Sequence, residues 1–168
     1  MHSLIKGKFF LYFFVVFFVA GCSTPKFDYA AFKQSNPRSI LVVPPINESV
    51  EVGAELAVYS SVVKPLAEAG YYVVSPTLVS ETFRQNGYSQ PTEIHSIRLG
   101  RLKEIFGSDA VLFLTIKEYG QKFHIVSSSA IVRLEGRLVD IDTGVEIWNG
   151  TAVASSSEGR SSNAAGLV

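Results

Sequence analysis

The sequence predicts a mixed α/β domain, with helices packed over a sheet that is part parallel and part antiparallel. Three observations predict it. Short apolar runs at residues 40–43, 71–74 and 110–116 alternate with amphipathic stretches, as parallel strands joined by right-handed crossovers do. From residue 122 the chain changes to long alternating segments separated by turn residues, as antiparallel hairpins do. The 168 residues are 47% apolar and 18% charged, which is enough for one globular core. The predicted order is β-α-β-α-α-β-β-β over residues 39–158.

Ile40-Leu41-Val42-Val43 reads as a strand buried on both faces, stopped by Pro44-Pro45. A helix is expected from Val52 to Ala69, with Leu56, Tyr59, Val63, Leu66 and Gly70 as its buried stripe. Pro65 removes a backbone donor, so a kink or a break is expected near Ser61. Gly70 suits the position just past the helix end. Tyr71-Tyr72-Val73-Val74 is the second strand. Ser75 then caps a helix opened by Pro76 and closed by Asn86-Gly87. One further helix is expected from Thr92 to Phe106, with Thr92 as its cap and Gly107 as its end.

Ala110 to Ile116 is the most apolar strand and so the central one. A turn is expected at Tyr119-Gly120-Gln121, followed by a strand from Lys122 to Ile141. On that strand Val126, Ala130, Val132, Leu134 and Leu138 share a covered face, and Arg133, Glu135 and Arg137 share a wet one. Gly136 or Ser127-Ser128-Ser129 is the expected place for a bulge. Asp142-Thr143-Gly144 turns the chain into a last strand, Val145 to Ala154, that carries Trp148. Residues 159–168 form a polar tail.

The N-terminus carries the strongest functional signal. Lys6 and Lys8 precede an apolar run from Phe9 to Ala20, too short to span a bilayer and suited to a secretory signal. An uncleaved signal anchor is the alternative. The run ends in Val19-Ala20-Gly21-Cys22, the pattern of a lipobox. The small residues Val19, Ala20 and Gly21 let a signal peptidase reach the backbone, and the Cys22 thiolate accepts diacylglycerol. Residues 1–21 are then the signal peptide. Cys22 carries the diacylglycerol and an N-acyl chain such as palmitate. Residues 22–38 are a short tether, and Phe27, Tyr29 and Phe32 leave open whether it packs back on the domain. Ser23 follows the cysteine where an Asp would favour inner-membrane retention, so the outer membrane is expected, with the domain in the periplasm or exposed at the surface.

Charge excludes some partners. Without Lys6 and Lys8 the chain has 13 basic and 15 acidic residues, which argues against nucleic acid. A lone cysteine provides neither an internal disulfide nor a multi-cysteine metal site, and no cofactor or metal is expected. Asp142-Thr143-Gly144 spells the aspartic-protease tripeptide, but Asp-x-Gly is also what a hairpin turn demands. His95 and His124 have no partner at metal-ligand spacing, and no nucleophile elbow or phosphate loop is present. In open α/β sheets ligands gather beyond the C-terminal ends of the parallel strands. Here that rim would comprise Pro45, Asn47, Glu48, Ser75 and Thr77, unless the segment is only a turn leaving the strand.

Four segments together resemble a family. They are Val42 to Ser49 (VVPPINES), Pro65 to Val73 (PLAEAGYYV), Glu81 to Gly87 (ETFRQNG) and Leu102 to Ala110 (LKEIFGSDA). The chain is similar to a family of bacterial outer-membrane lipoproteins of unassigned function, of the meningococcal surface-lipoprotein type. The resemblance covers Ser39 to Glu158. It implies a domain like the N-terminal domain of TolB, a fold shared with the CsgG-like curli-secretion lipoprotein and with the lipoprotein activator of penicillin-binding proteins. It also implies an envelope complex with a CsgG-like lipoprotein among the partners. The expected function is therefore a non-enzymatic, outer-membrane-anchored interaction module. The alternatives are an activator of a cell-wall synthase, a component of a CsgG-like channel and, last, a hydrolase. A terminal strand leaves a sheet edge that a second copy could cover, which makes a homo-oligomer one of the expected assemblies.

Overall fold

The computed structural model describes residues 28–123 and 128–156. The chain runs α1 (Ala30–Ser35), β1 (Ser39–Val42), β2 (Ile46–Asn47), α2 (Ala54–Glu68), β3 (Tyr72–Val73), α3 (Pro76–Gln85), α4 (Pro91–His95), α5 (Leu99–Phe106), β4 (Ala110–Phe123), β5 (Ser128–Asp140) and β6 (Glu146–Ser155). The strands form one sheet in the order β3-β1-β4-β5-β6, with β2 as a second, short partner of β4. Strands β3, β1, β2 and β4 are parallel, and β4-β5-β6 is an antiparallel meander. This is the mixed sheet expected from the sequence.

Alternation along β1 and β4 divides the core into two layers. Ile40, Val42, Ala110, Leu112, Leu114 and Ile116 face Ala54, Val58 and Tyr59 of α2. Leu41, Val43, Val111 and Phe113 face Val79 and Phe83 of α3, Ile94 of α4 and Leu102 of α5. Both faces of the parallel half are covered, which is why its strands read as unbroken apolar runs. Each fully buried side chain, such as Leu41, Phe83 or Leu102, contributes about 1.5–3 kcal/mol of transfer free energy.

Several elements differ from the sequence reading. Helix α2 buries Ala54, Val58 and Tyr59; of the expected stripe Tyr59 is buried and Leu66 packs half-buried on the same core, but Leu56 is exposed. The Tyr59 hydroxyl reaches the Val42 carbonyl at 3.0 Å, and that anchor sets the rotation of the helix. Pro65 does not interrupt α2: the helix continues through it to Glu68 and loses the one amide donor that proline lacks. Gly70 closes α2 as expected, at φ +96°. The Tyr71 amide donates to the Leu66 carbonyl and the Gly70 amide to the Ala67 carbonyl, a Schellman arrangement.

The expected helix from Thr92 to Phe106 is two helices. Pro91 opens α4, with Gln90 rather than Thr92 at the cap position. After His95 the amides of Ser96 and Ile97 bond three residues back, Ser96 Oγ binds the Glu93 carbonyl, and Arg98 is extended before α5 begins.

The expected turn at Tyr119-Gly120-Gln121 is strand. All three residues pair across to β5, Gly120 with Ile131 at a positive φ of 123°. The chain reverses beyond Phe123, and His124 and Val126 lie outside the described residues. Register shifts fall at Lys117, between Ile116 and Glu118 of β4, and between Leu138 and Val139 where β5 pairs with β6. Gly136 is paired regularly; a Cβ there would lie 3.2 Å from both Leu114 and Trp148, so it is a packing glycine and not a bulge.

The segment before β1 is folded from Ala30. Ala31 and Phe32 pack on the α2-side core, and Pro37 is buried. Ser35 Oγ donates to Asp140 Oδ2, and the amides of Arg38 and Ser39 both donate to Asp109 Oδ2 at 3.0 Å. Tyr29 is exposed, and Phe27 lies outside the described residues.

Candidate functional site

The lipobox residues Val19, Ala20, Gly21 and Cys22 lie outside the described residues. The predicted rim splits in two. Pro45 is fully buried and acts as packing beneath the loop rather than as a contact. Asn47 and Glu48 come together in the segment after β2. Ser75 sits at the cap position of α3, but its side chain makes no capping bond; Ser75 and Thr77 are both exposed at the end of β3. Neither of the two clefts described below is lined by Ser75 or Thr77.

Asn47 organises its loop. Its Oδ1 accepts from the Ser49 amide and hydroxyl at 3.0 and 2.7 Å, and its Nδ2 donates to the Glu51 carbonyl at 2.8 Å. Glu48 pairs with Lys117 at 2.8 Å, and Lys117 also lies 3.4 Å from Glu135. These two carboxylates hold the Lys117 ammonium above its ordinary range, with the Glu48 hydrogen bond the larger cause. The register shift at Lys117 thus lies beside the loop that its side chain ties down.

The larger concavity lies on one face of the meander and shares Glu135 with this ion-pair cluster. Helices α3–α5 cover only the first part of that face. Past Phe113 the sheet opens into a cleft of about 780 Å³, lined by Thr115, Glu135, Arg137, Glu146, Asn149, Thr151 and Val153, with His95 and Phe113 at its inner end. The floor includes the backbone of Gly136 and Gly150. Both glycines lack a side chain because Trp148 lies against their other face; a Cβ on Gly150 would stand 2.6 Å from its ring. The Arg137 guanidinium stacks over the Phe113 ring at 4.5 Å from its centre, and the His95 ring meets the same ring edge-on at 5.1 Å. His95 Nε2 donates to the Pro44 carbonyl at 2.9 Å. Burial lowers the His95 pKa and the Arg137 charge adds to this, while the Pro44 bond opposes both, so the ring is neutral at pH 7.

Strand β6 borders this cleft and ends the sheet. The Ser156 amide donates to the Ala130 carbonyl at 3.0 Å. Antiparallel alternation from that pair turns the N–H and C=O groups of Thr151 and Val153 away from β5. From Ile147 to Ser155 the strand has no charge and no proline, the usual devices that block an edge. The arrangement can accept another extended chain. The parity of Glu135 and Arg137 as a wet face was readable in the sequence; their convergence with α4 and β6 was not, because it depends on where α3–α5 stop covering the sheet.

Asp142-Thr143-Gly144 forms the β5–β6 turn. Asp140 Oδ1 accepts from the amides of Asp142 and Thr143 and from the Thr143 hydroxyl, at 3.1, 2.8 and 2.8 Å, and Gly144 has φ +72°. The Asp142 carboxylate points to Lys103 at 3.0 Å on the surface. Among the described residues no group of three His, Cys, Asp or Glu side chains could hold a metal ion.

Fold and site together define a mixed α/β domain of a kind known from bacterial lipoproteins. The chain superimposes on the crystal structure of lipoprotein GNA1162 from Neisseria meningitidis with a TM-score of 0.68 and 46% identity, over 71% of this chain and 83% of that one. The C-terminal domain of LpoB from Salmonella enterica shares the fold alone, with a TM-score of 0.50 and 19% identity over 76% of this chain and 98% of that one. Residues 27–168 match the family model "Putative lipoprotein GNA1162-like", and the chain belongs to that family. The curated "Putative lipoprotein NMB1124/NMB1162" of Neisseria meningitidis serogroup B is 47% identical over 144 residues, 86% of this chain, and the match spans 66% of that relative's length.

Proposed function

We propose that this protein is an outer-membrane-anchored lipoprotein whose domain binds a partner polypeptide of an envelope or secretion complex and catalyses nothing. The observation that carries the reading is the β6 edge, which pairs with no further strand among the described residues, beside the 780 Å³ cleft. An extended partner segment adds to β6 through the outward groups of Thr151 and Val153. Its alternate side chains enter the cleft, where Arg137, Glu135 and Asn149 read them. Membership in a lipoprotein family and the Val19-Ala20-Gly21-Cys22 sequence support acylation of Cys22. The eight residue steps from Cys22 to Ala30, where α1 begins, span at most about 28 Å, so the domain works close to its membrane. That short reach weighs against the second reading, activation of a cell-wall synthase across the wall. The charges of Arg133, Glu135 and Arg137 weigh against a lipid-facing channel hairpin.

The test is Val153→Pro in the full chain. The Val153 amide is not needed for the β5 ladder, so the fold survives while strand addition is blocked. Crosslinked envelopes should yield one specific partner with the wild type and at least tenfold less with the variant. Equal recovery from both would refute the edge as the site. Separately, Cys22→Ala should abolish labelling by a clickable palmitate analogue; an unlabelled wild type would remove the anchor from the reading.

A further inference from the structure

The segment from Val50 to Leu56 presents an apolar surface that the fold does not use. Val50 is 99% exposed, Val52 90% and Leu56 75%, three large aliphatic side chains within seven consecutive residues. Single exposed aliphatics are ordinary, but a group of this kind on a fixed support is not. The support is fixed: Asn47 bonds Ser49 and the Glu51 carbonyl, the Glu51 amide reaches Ser49 Oγ at 3.3 Å, and Glu48 is paired to Lys117. The loop satisfies its polar groups internally and turns its aliphatic ones outward. A surface held this way loses little conformational entropy on binding.

From these residues we infer a second docking surface, made by Val50, Val52 and Leu56, whose occupant is a protein groove with an apolar floor and a rim of Lys or Arg. The charge around the tip selects that occupant. Glu48, Glu51 and Glu55 lie in the same stretch; Lys117 pairs with Glu48, and among the described residues no ion pair involves Glu51 or Glu55. The excess of negative charge beside the aliphatic tip is repelled by a bilayer containing anionic lipid and attracted to a basic rim. The geometry agrees. The N-terminal segment enters at Arg38 and Ser39, bound to Asp109 at the start of β4. The tip lies further along that strand, beside its middle, where Glu48 N bonds Ile116 O and Val50 lines a small cleft with Tyr119 and Ile131. This surface is separate from the β6 edge, and either can be right without the other.

The experiment places a benzophenone amino acid at position 50 or 52 of the full chain, in the cells that produce it, with position 64 on the exposed face of α2 as control. Expected is one protein adduct of defined mass from 50 and 52, absent from 64. Its yield should fall fivefold or more in the Glu51→Gln/Glu55→Gln variant, which keeps the acceptor oxygen that Gly53 uses. The crosslinked partner peptide should be bordered by Lys or Arg. Val50→Asp, read by capture at position 52, should abolish the adduct with the melting temperature unchanged. The inference is overturned by an adduct of two copies of this chain, by lipid adducts or binding to 3:1 phosphatidylethanolamine:phosphatidylglycerol vesicles, by a yield indifferent to the two glutamates, or by no adduct.

Discussion

Removing the Asp140 side chain should destabilise two distant parts of the chain at once. Asp140 is 9% exposed and accepts four hydrogen bonds. Three come from the β5–β6 turn, at 2.8 to 3.1 Å, and one from Ser35 Oγ of α1 at 2.5 Å. A hydrogen bond to a charged group contributes about 1.5–3 kcal/mol when its loss leaves a partner unsatisfied. The donors here lie near the surface, where water replaces much of the loss, so Asp140→Ala should cost about 2–4 kcal/mol rather than the sum. Ser35→Ala removes only the α1 bond and should cost about 1 kcal/mol. Urea unfolding followed through Trp148 fluorescence measures both, and hydrogen exchange shows α1 fraying in each variant. The titration gives a second signature. Burial pushes the Asp140 carboxyl up, but the bonds from Ser35, Thr143 and Asp142 together outweigh it and hold the group below its ordinary value. A carboxyl lowered in the folded chain stabilises fully above its unfolded pKa of about 4 and loses that contribution as pH falls through the folded value. The wild type should therefore weaken as pH falls below about 5, and Asp140→Asn should weaken less, with the lowered carboxyls of Asp109 and Glu81 contributing to the remaining slope. An alanine variant that loses less than about 1 kcal/mol, or an asparagine variant with an unchanged acid slope, would refute this reasoning.

Three further outcomes are expected. Gly150→Ala should cost about 1–3 kcal/mol and change the near-ultraviolet circular dichroism, because the new methyl group would stand 2.6 Å from the Trp148 ring and displace it. Leu102→Ala should cost about 2–5 kcal/mol while Leu56→Ala stays within about 0.5, which separates the true buried set from the stripe expected in the sequence; thermal unfolding reads both. The His95 ring should titrate below 6.5 by NMR, since burial disfavours its charged form, and Arg137→Ala should raise that midpoint.

The parts of this fold that were legible in the sequence are those where local chemistry and tertiary packing agree. The runs Ile40–Val43 and Ala110–Ile116 are apolar throughout because helices cover both faces, and no other element suits such a run at that length. Gly70 and Gly107 mark helix ends because both adopt positive φ there. Errors occurred where two local signals competed. Tyr119-Gly120-Gln121 has turn composition, yet the pairing with Val132, Ile131 and Ala130 keeps it extended. Leu56 fits a helical stripe by spacing, but the Tyr59 hydroxyl bond to Val42 turns the helix so that Val58 points inward. Of the predicted rim, Asn47 and Glu48 lie together in the loop after β2, while the cleft under β6 draws on residues of α4, β4, β5 and β6 that share no local pattern and so left no mark in the sequence.

The polar links of the fold give the molecule a direction. Ser35 on Asp140, with Arg38 and Ser39 on Asp109, tie the N-terminal segment to one end of the sheet, where β4 begins and β5 finishes. At that end the chain spends its hydrogen bonds on fixing α1, so the segment that leads back toward Cys22 leaves from a rigid base. The six residue steps from Ala110 to Ile116 carry β4 about 20 Å away from it. There the bonds of Asn47 and the Glu48–Lys117 pair do the same for the Val50–Leu56 tip. Cleft and β6 edge lie along the meander. Under the proposed function, the cleft, the β6 edge and the Val50–Leu56 tip all stand away from the base that leads to the anchor, which suits a protein held at one end and engaged along its length.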